Sequence, residues 1–237
     1  MKLVFDIGFN VGNFAETCIQ KYPDCKVVGV EANPYLPEWG RYNDFVQKYK
    51  NVMIISALAC GTDNDERDFY VDNINIGIST ASKNFLNNSR FSKGSKYVEP
   101  NTGKWQHIGK VQTITLDTLV NAYEKPDLIK VDVEGYEYEV FSGLSKKAGK
   151  ICFECREEDM EEMYNVVNHL VSLGYENFGL IGIYDQGDIF DKLTYSEHGD
   201  PPLVEPDKYY PWNELKEEIE KCFVAERRIN YGMMWVK

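Results

Sequence analysis

The sequence predicts an α/β protein with a mostly parallel, doubly wound sheet and helices on both faces. Three observations lead there. Residues 3 to 14, LVFDIGFNVGNF, read as a short buried strand, a glycine turn and a helix start. Strand-like and helix-like runs then alternate at intervals that suit right-handed crossovers. Finally, acids or glycines stand where several strands should end, the edge at which such sheets bind ligands.

The elements follow in order. Leu3, Val4 and Phe5 form the first apolar run, Asp6 closes it, and Gly8 and Gly12 follow with G-x-x-x-G spacing. A glycine turn lets a ligand approach the backbone, and the helix start brings free N–H groups to the same place. Asn13-x-x-Glu16 has capping-box spacing for the helix FAETCIQKY. KVVGVEAN, residues 26 to 33, is a second strand ending at Glu31. That acid lies about 20 residues past the turn, where nucleotide folds place a ribose-binding carboxylate. Pro34 and Pro37 precede a helix-like RYNDFVQKYK, and residues 51 to 60, NVMIISALAC, form a third strand. RDFYVD is a short extra strand.

Residues 73 to 110 are an irregular excursion with six basic residues, Lys83, Arg90, Lys93, Lys96, Lys104 and Lys110, against one acid, Glu99. Phe85, Phe91, Tyr97 and Trp105 are interleaved with them, so the segment reads as a lid, a binding loop or a solvated loop. VQTITLDTLVNAY is a strand and then a helix capped near Thr115 and stopped by Pro126; DLIKVDVEG is a fourth strand ending in Asp132, Glu134 and Gly135. YEYEVFSGLSKKA is helical, KICFECRE a fifth strand, and MEEMYNVVNHLVSLGY an amphipathic helix closed by Gly174. NFGLIGIY is a sixth strand, residues 185 to 212 a polar excursion, NELKEEIEKCFVAE a charged helix, and RINYGMMWV the last strand. With no internal repeat or clean linker, residues 1 to 237 read as one domain.

Composition narrows the function. A net charge of -12 over 237 residues argues against a general nucleic-acid binder, because a phosphate backbone wants Lys and Arg. MKLVFDIG is interrupted too early for a signal peptide, and no run approaches the roughly 20 apolar residues of a membrane span. The expectation is a soluble, cytoplasmic protein. Cys152 and Cys155 read C-x-x-C, but on a strand residues three apart face opposite ways, so they are expected to be buried thiols.

Two cofactors compete for the glycine turn. A dinucleotide brings a pyrophosphate and wants G-x-G-x-x-G, whereas this chain has only Gly8 and Gly12. Asp6 would oppose that charge, but it complements the sulfonium and ammonium of S-adenosylmethionine. Asp132 and Glu134 lie two apart on an extended segment and so face one cleft. Two carboxylates side by side raise each other's pKa, which suits a general base. Glu134 is the candidate base, with Asp132 as a cofactor or positioning group; capping the helix near Tyr136 is the structural alternative for Glu134. Glu154 ends the neighbouring strand, and three clustered acids also suit a divalent metal, the less favoured option. His107, in the basic excursion, is an alternative base, and Trp105 an aromatic surface for a sugar face.

VFDIGFNVGNF, VVGVEANP, GIST at 77 to 80 and ITLDTLVNAYEKPDLIKVDVEGYEYEVFSGL at 114 to 144 together resemble the FkbM-type S-adenosylmethionine-dependent methyltransferases. The resemblance covers roughly residues 3 to 155. It implies the class I methyltransferase fold: seven strands, the last antiparallel, with RINYGMMWV in that place. It also implies methylation of a hydroxyl oxygen on a sugar, glycan or small metabolite. By the same resemblance Asp6, Gly8, Asn10, Gly12 and Asn13 line the methionine and ribose part of the cofactor. Glu31, flanked by Ala32 and Asn33, takes the ribose hydroxyls. Ser56 and Ala57 lie by the adenine edge, where this chain lacks the acid common in the wider fold, and Ser79 bonds the cofactor carboxylate or closes over the substrate. A non-catalytic binding module on this fold and a nicotinamide oxidoreductase are the competing readings.

Overall fold

The computed structural model describes the chain except residues 39, 93–101, 185–192, 196–202 and 225–228. One sheet runs through it in the order β10-β9-β11-β8-β7-β1-β2-β3. Its strands are β1 (Leu3–Ile7), β2 (Lys26–Glu31), β3 (Val52–Ser56), β7 (Leu128–Val131), β8 (Lys150–Arg156), β9 (Phe178–Tyr184), β10 (Leu193–Tyr195) and β11 (Ile229–Val236). All pairings are parallel except those of β11, which is antiparallel to both β8 and β9. The seven expected strands thus form with the expected last strand reversed, and the three-residue β10 extends one edge.

Helices α1 (Asn13–Lys21) and α2 (Gly40–Lys48) cover one face; α4 (Leu116–Tyr123), α5 (Glu137–Ser142), α6 (Met160–Ser172) and α7 (Trp212–Val224) cover the other. The alternation of β1 explains the division. Phe5 and Ile7 pack into the core beneath α4 to α7, while Val4 joins Ala15, Cys18 and Phe45 on the opposite face. Each such buried aliphatic or aromatic side chain stabilises the fold by about 1.5–3 kcal/mol. Cys152 and Cys155 divide in the same way, as buried free thiols on opposite faces of β8. Among the described residues no helix is long and apolar enough to cross a membrane.

Three local expectations are corrected. The third strand stops at Ser56; after Ala57 the chain leaves the large sheet, and β4 (Leu58–Ala59) joins a second sheet in the order β4-β6-β5. In that sheet β5 (Glu66–Asp72) pairs antiparallel with β6 (Trp105–Ile114), so residues 105 to 110 belong to a strand and not to the excursion. Their polar content suits a strand that keeps much of one face in solvent. Finally, the capping box at Asn13 does not form. Gly12 is the N-cap, in a left-handed conformation without a side-chain cap, and the Glu16 carboxylate instead accepts from Tyr49 Oη at 2.6 Å and Lys48 Nζ at 2.9 Å. Thr115 caps α4 as expected, its hydroxyl accepting from Thr118 N.

The described part of the excursion is ordered by one buried acid. Asp72 accepts backbone N–H groups from Ile74 and Asn75 at one oxygen and from Gly103 and Lys104 at the other. That draws both ends of the segment together. Between them lie a 3₁₀ turn (Ile76–Ile78) and α3 (Lys83–Asn88), capped by the Ser82 hydroxyl. Phe85 meets Trp105 edge-on at 5.8 Å, and the Trp105 indole donates to Ile78 O at 2.8 Å. Phe85 is thus buried, and Trp105 is partly buried and tied to this turn. Tyr97, Lys93, Lys96 and Glu99 lie outside the described residues.

Candidate functional site

A cavity of about 290 Å³ opens over the C-terminal ends of β1, β2 and β7, the edge expected to bind a ligand. Its floor begins at the glycine turn. Gly8 has φ +79°, and a Cβ built there would lie 1.9 Å from the carbonyl oxygen of Asp132. The turns that follow β1 and β7 therefore touch without a side chain between them. Asn10 follows, also left-handed at φ 50°, a conformation that asparagine tolerates better than most residues.

Glu31 fixes the next wall. Its Oε2 accepts from Asn10 N at 2.7 Å and its Oε1 from Asn33 N at 2.7 Å. Each oxygen keeps a further lone pair for a ligand. Burial holds this carboxyl above its usual range, although the backbone donors oppose the shift. Asn10 Oδ1 and Asn33 Nδ2 are buried without a hydrogen-bond partner, and both residues line the cavity. Leu36, Leu58, Ala59, Phe69 and Ile76 make the adjoining wall apolar.

Lys130 sits behind the turn, 8% exposed. Its ammonium donates to Gly8 O at 3.0 Å and lies 3.3 Å from Asp6 and 3.4 Å from Asp132. Burial alone would lower its pKa, but the two acids outweigh it and raise it. Asp132, pushed up by burial and more strongly down by Lys130 and Arg156, stays below the usual carboxylate range. Asp6 is fully buried and is pushed up to about 6, burial outweighing Lys130. Its unfolded value of 3.8 is lower, so the native state binds more protons in between. Asp6 therefore costs stability that is regained as pH falls through 6 towards 4. Comparing the urea stability of the wild type with that of Asp6→Asn from pH 7 to pH 4 should show the wild type gaining on the variant; a constant difference would contradict this.

Arg156 completes the charge network. Its guanidinium pairs with both Glu134 and Glu154 and lies 4.8 Å from the ring centre of Phe85. Carboxylate oxygens of Asp132, Glu134 and Glu154 lie within 4.8 Å of one another. The cation that two of these acids hold is this guanidinium. Glu134 and Gly135 are consecutive left-handed residues, φ 60° and 82°, and Thr80 Oγ1 donates to Glu134 O at 2.8 Å. Glu137 accepts from Val133 N at 3.1 Å and Gly135 N at 3.3 Å and so ties the turn that precedes α5. The N-cap of α5 is Tyr136, with no side-chain cap, so the helix-capping alternative for Glu134 does not form.

Gly8, Asn10, Asn13, Glu31, Ala32, Asn33, Ala57, Ser79, Asp132 and Glu134 all line the cavity. Asp6 stands behind it and acts on it through Lys130. Three expected site residues lie elsewhere. Gly12 faces Phe45, whose ring would be 2.9 Å from an added Cβ, so this glycine lets α2 close on α1. Ser56 ends β3 opposite Glu31 but is exposed, and Ala57 is the residue that turns inward. His107 stands on β6, 3.0 Å from Asp68 and half exposed, on the outer sheet. Ser79 lines the cavity, but its hydroxyl donates to Ile76 O at 2.9 Å. Lys130 and Arg156 were missed, although a lone cation inside an apolar strand such as LIKV is itself a sign that acids await it.

A doubly wound sheet with a glycine turn, a ribose-type acid and an acidic strand end defines the class of nucleotide-cofactor enzymes. The sequence profile of the methyltransferase FkbM domain matches residues 6–176. The chain belongs to the FkbM family of S-adenosylmethionine-dependent methyltransferases. Similar solved structures include precorrin-6y C5,15-methyltransferase from Geobacter metallireducens, 10% identical, covering 100% of this chain and 78% of that one with a TM-score of 0.46. Another is methyltransferase FkbM from Methylobacillus flagellatus, 14% identical, TM-score 0.47, covering 76% of this chain and 39% of that one. A third is Aeropyrum pernix fibrillarin with natively bound S-adenosyl-L-methionine, 11% identical, TM-score 0.44, covering 100% and 66%. The match thus spans about two fifths of the length of the FkbM structure. A search of curated proteins gave no match.

Proposed function

We propose that this chain, as one domain, binds S-adenosylmethionine in the cavity and methylates a hydroxyl oxygen of a small-molecule or glycan acceptor. The observation that carries the reading is the excess of acids lining the cavity: Glu31, Asp132 and Glu134 against Lys130. That balance favours a cationic adenosyl donor over a pyrophosphate. The unpartnered amide atoms of Asn10 and Asn33 and the Cβ-free turn at Gly8 fit such a ligand as well.

Glu31 would receive the ribose hydroxyls through its remaining lone pairs, and the wall of Leu36, Ala57, Leu58 and Phe69 would take adenine by apolar contact and backbone groups. Asp132, kept ionised by Lys130, offers its charge to the amino-acid end. Bound there, S-adenosylmethionine supplies an electrophilic methyl group. Glu134, lining the cavity and paired with Arg156, would accept the proton of the acceptor hydroxyl. Thr80 holds that turn in place, and the 3₁₀ turn at Ile76–Ile78 covers the cavity and helps exclude water.

Calorimetry tests the cofactor assignment: S-adenosylhomocysteine should bind and NAD should not. The reverse result would remove it. Turnover is followed as one added methyl in a mass-spectrometric acceptor screen. Glu134→Gln should lower turnover by roughly 10²-fold or more with S-adenosylhomocysteine affinity retained. Unchanged turnover would take the base role from Glu134.

A further inference from the structure

The cavity does not end at the glycine turn. Its lining continues across the sheet from Glu31 on β2, past Ile7 and Lys130, to Cys152 on β8 and to Met233 and Trp235 on β11. Asp6, Lys130, Cys152 and Trp235 are in register on neighbouring strands and so present one face. Phe14 of α1 and the buried Leu203 line the same space. Adenosine, placed by Glu31 and Phe69, accounts for the β2 end only.

The far end has a distinct chemistry. Lys130 donates to Gly8 O and lies within ion-pair distance of both Asp6 and Asp132. Its charge is thus already balanced by the protein's own acids. Cys152 is a buried thiol whose burial drives its pKa well up, so it is neutral there. Phe14, Leu203 and Met233 are apolar. Trp235 differs. It is 3% exposed, and its indole N–H has no hydrogen-bond partner among the described residues. A buried donor left unmade is unfavourable by the desolvation of that group, so a partner gained on ligand binding adds to affinity.

We propose that this end of the cavity seats the body of the methyl acceptor, and that the acceptor is an apolar ring or chain carrying an oxygen that takes the Trp235 N–H. A bare sugar does not fit the same lining, because its several hydroxyls would lose water and find one donor. This inference rests on the cofactor reading and narrows the acceptor from any hydroxyl compound to an apolar-bodied one. A sugar would enter only as part of a molecule whose apolar portion occupies the chamber.

The test uses the full chain with saturating S-adenosylhomocysteine and ¹H–¹⁵N spectra of the indole groups. The chain has four tryptophans, and loss of one signal in Trp235→Phe assigns the resonance. The probes are acetophenone, 4-hydroxyacetophenone and anisole, with toluene and methyl α-D-glucopyranoside as comparisons. The ring compounds bearing oxygen should shift the Trp235 signal in a saturable way. Toluene should bind about fivefold more weakly than acetophenone, as the loss of one hydrogen bond implies, and the glucoside should leave the signal unmoved. Trp235→Phe should bring acetophenone down to the toluene affinity, with S-adenosylhomocysteine affinity kept. A Trp235 signal that no ring compound moves, or that the glucoside moves most, overturns the proposal. S-adenosylhomocysteine binding, measured first by calorimetry, separates the failures: without it the cofactor reading falls, and with it only the acceptor assignment does.

Discussion

Arg156→Met should destabilise the protein by about 3–5 kcal/mol at pH 7, the cost of leaving a buried charge without its partner. The guanidinium is 7% exposed and is shared by Glu134 and Glu154, with Asp132 close by. Methionine keeps much of the side-chain volume but removes the charge, so the three acids repel one another in a poorly solvated place. Even with arginine present, burial raises the Glu154 pKa well above its usual value. In the variant the acids would rise further, so its native state would bind more protons than the unfolded chain. The sign follows: the deficit should shrink as pH falls from 7 towards 5, where protonation relieves the repulsion. Urea denaturation at the two pH values measures both effects. A loss under about 1 kcal/mol at pH 7, or a deficit that grows on acidification, would show that Arg156 is not the counter-charge of this cluster.

Glu31→Gln should weaken S-adenosylhomocysteine binding by roughly 30- to 150-fold, the equivalent of about 2–3 kcal/mol. The substitution is nearly isosteric, and its effect comes from hydrogen-bond direction. Both carboxylate oxygens already accept a backbone N–H, from Asn10 and from Asn33. A glutamine amide would turn its NH₂ towards one of those donors, leaving that N–H unmet and removing an acceptor for a ribose hydroxyl. Isothermal titration reads the loss. An affinity within threefold of wild type would mean that the ribose is held elsewhere.

Periodicity and punctuation made most of the large sheet legible in the sequence. Runs such as LVFDI and KVVGVE are apolar and short, and the parallel strands they form are buried on both faces, so their pattern is unambiguous. The glycine turn and the D-V-E-G strand end could be placed for the same reason, because each falls where an apolar run stops. The outer sheet was harder. Trp105–Ile114 alternates only weakly because much of it meets solvent, and a polar strand carries little signal of its own. That ambiguity made His107 look like a loop base when it stands on a strand beside Asp68. The long-range ties were not legible at all. Asp72 gathers residues 74, 75, 103 and 104 through backbone contacts set by tertiary geometry. Ser56 shows how one residue of register decides a role, since its neighbour Ala57 faces the cavity and Ser56 does not.

The close approach of Gly8 to the Asp132 carbonyl couples the two turns. A larger residue at position 8 would have to wait for the D-V-E-G backbone to retreat, and that retreat would pull Asp132 away from Lys130, which also holds Gly8. Neither turn is free to drift while the other stays still. A change at position 8 would therefore have to be matched by a change in the D-V-E-G turn.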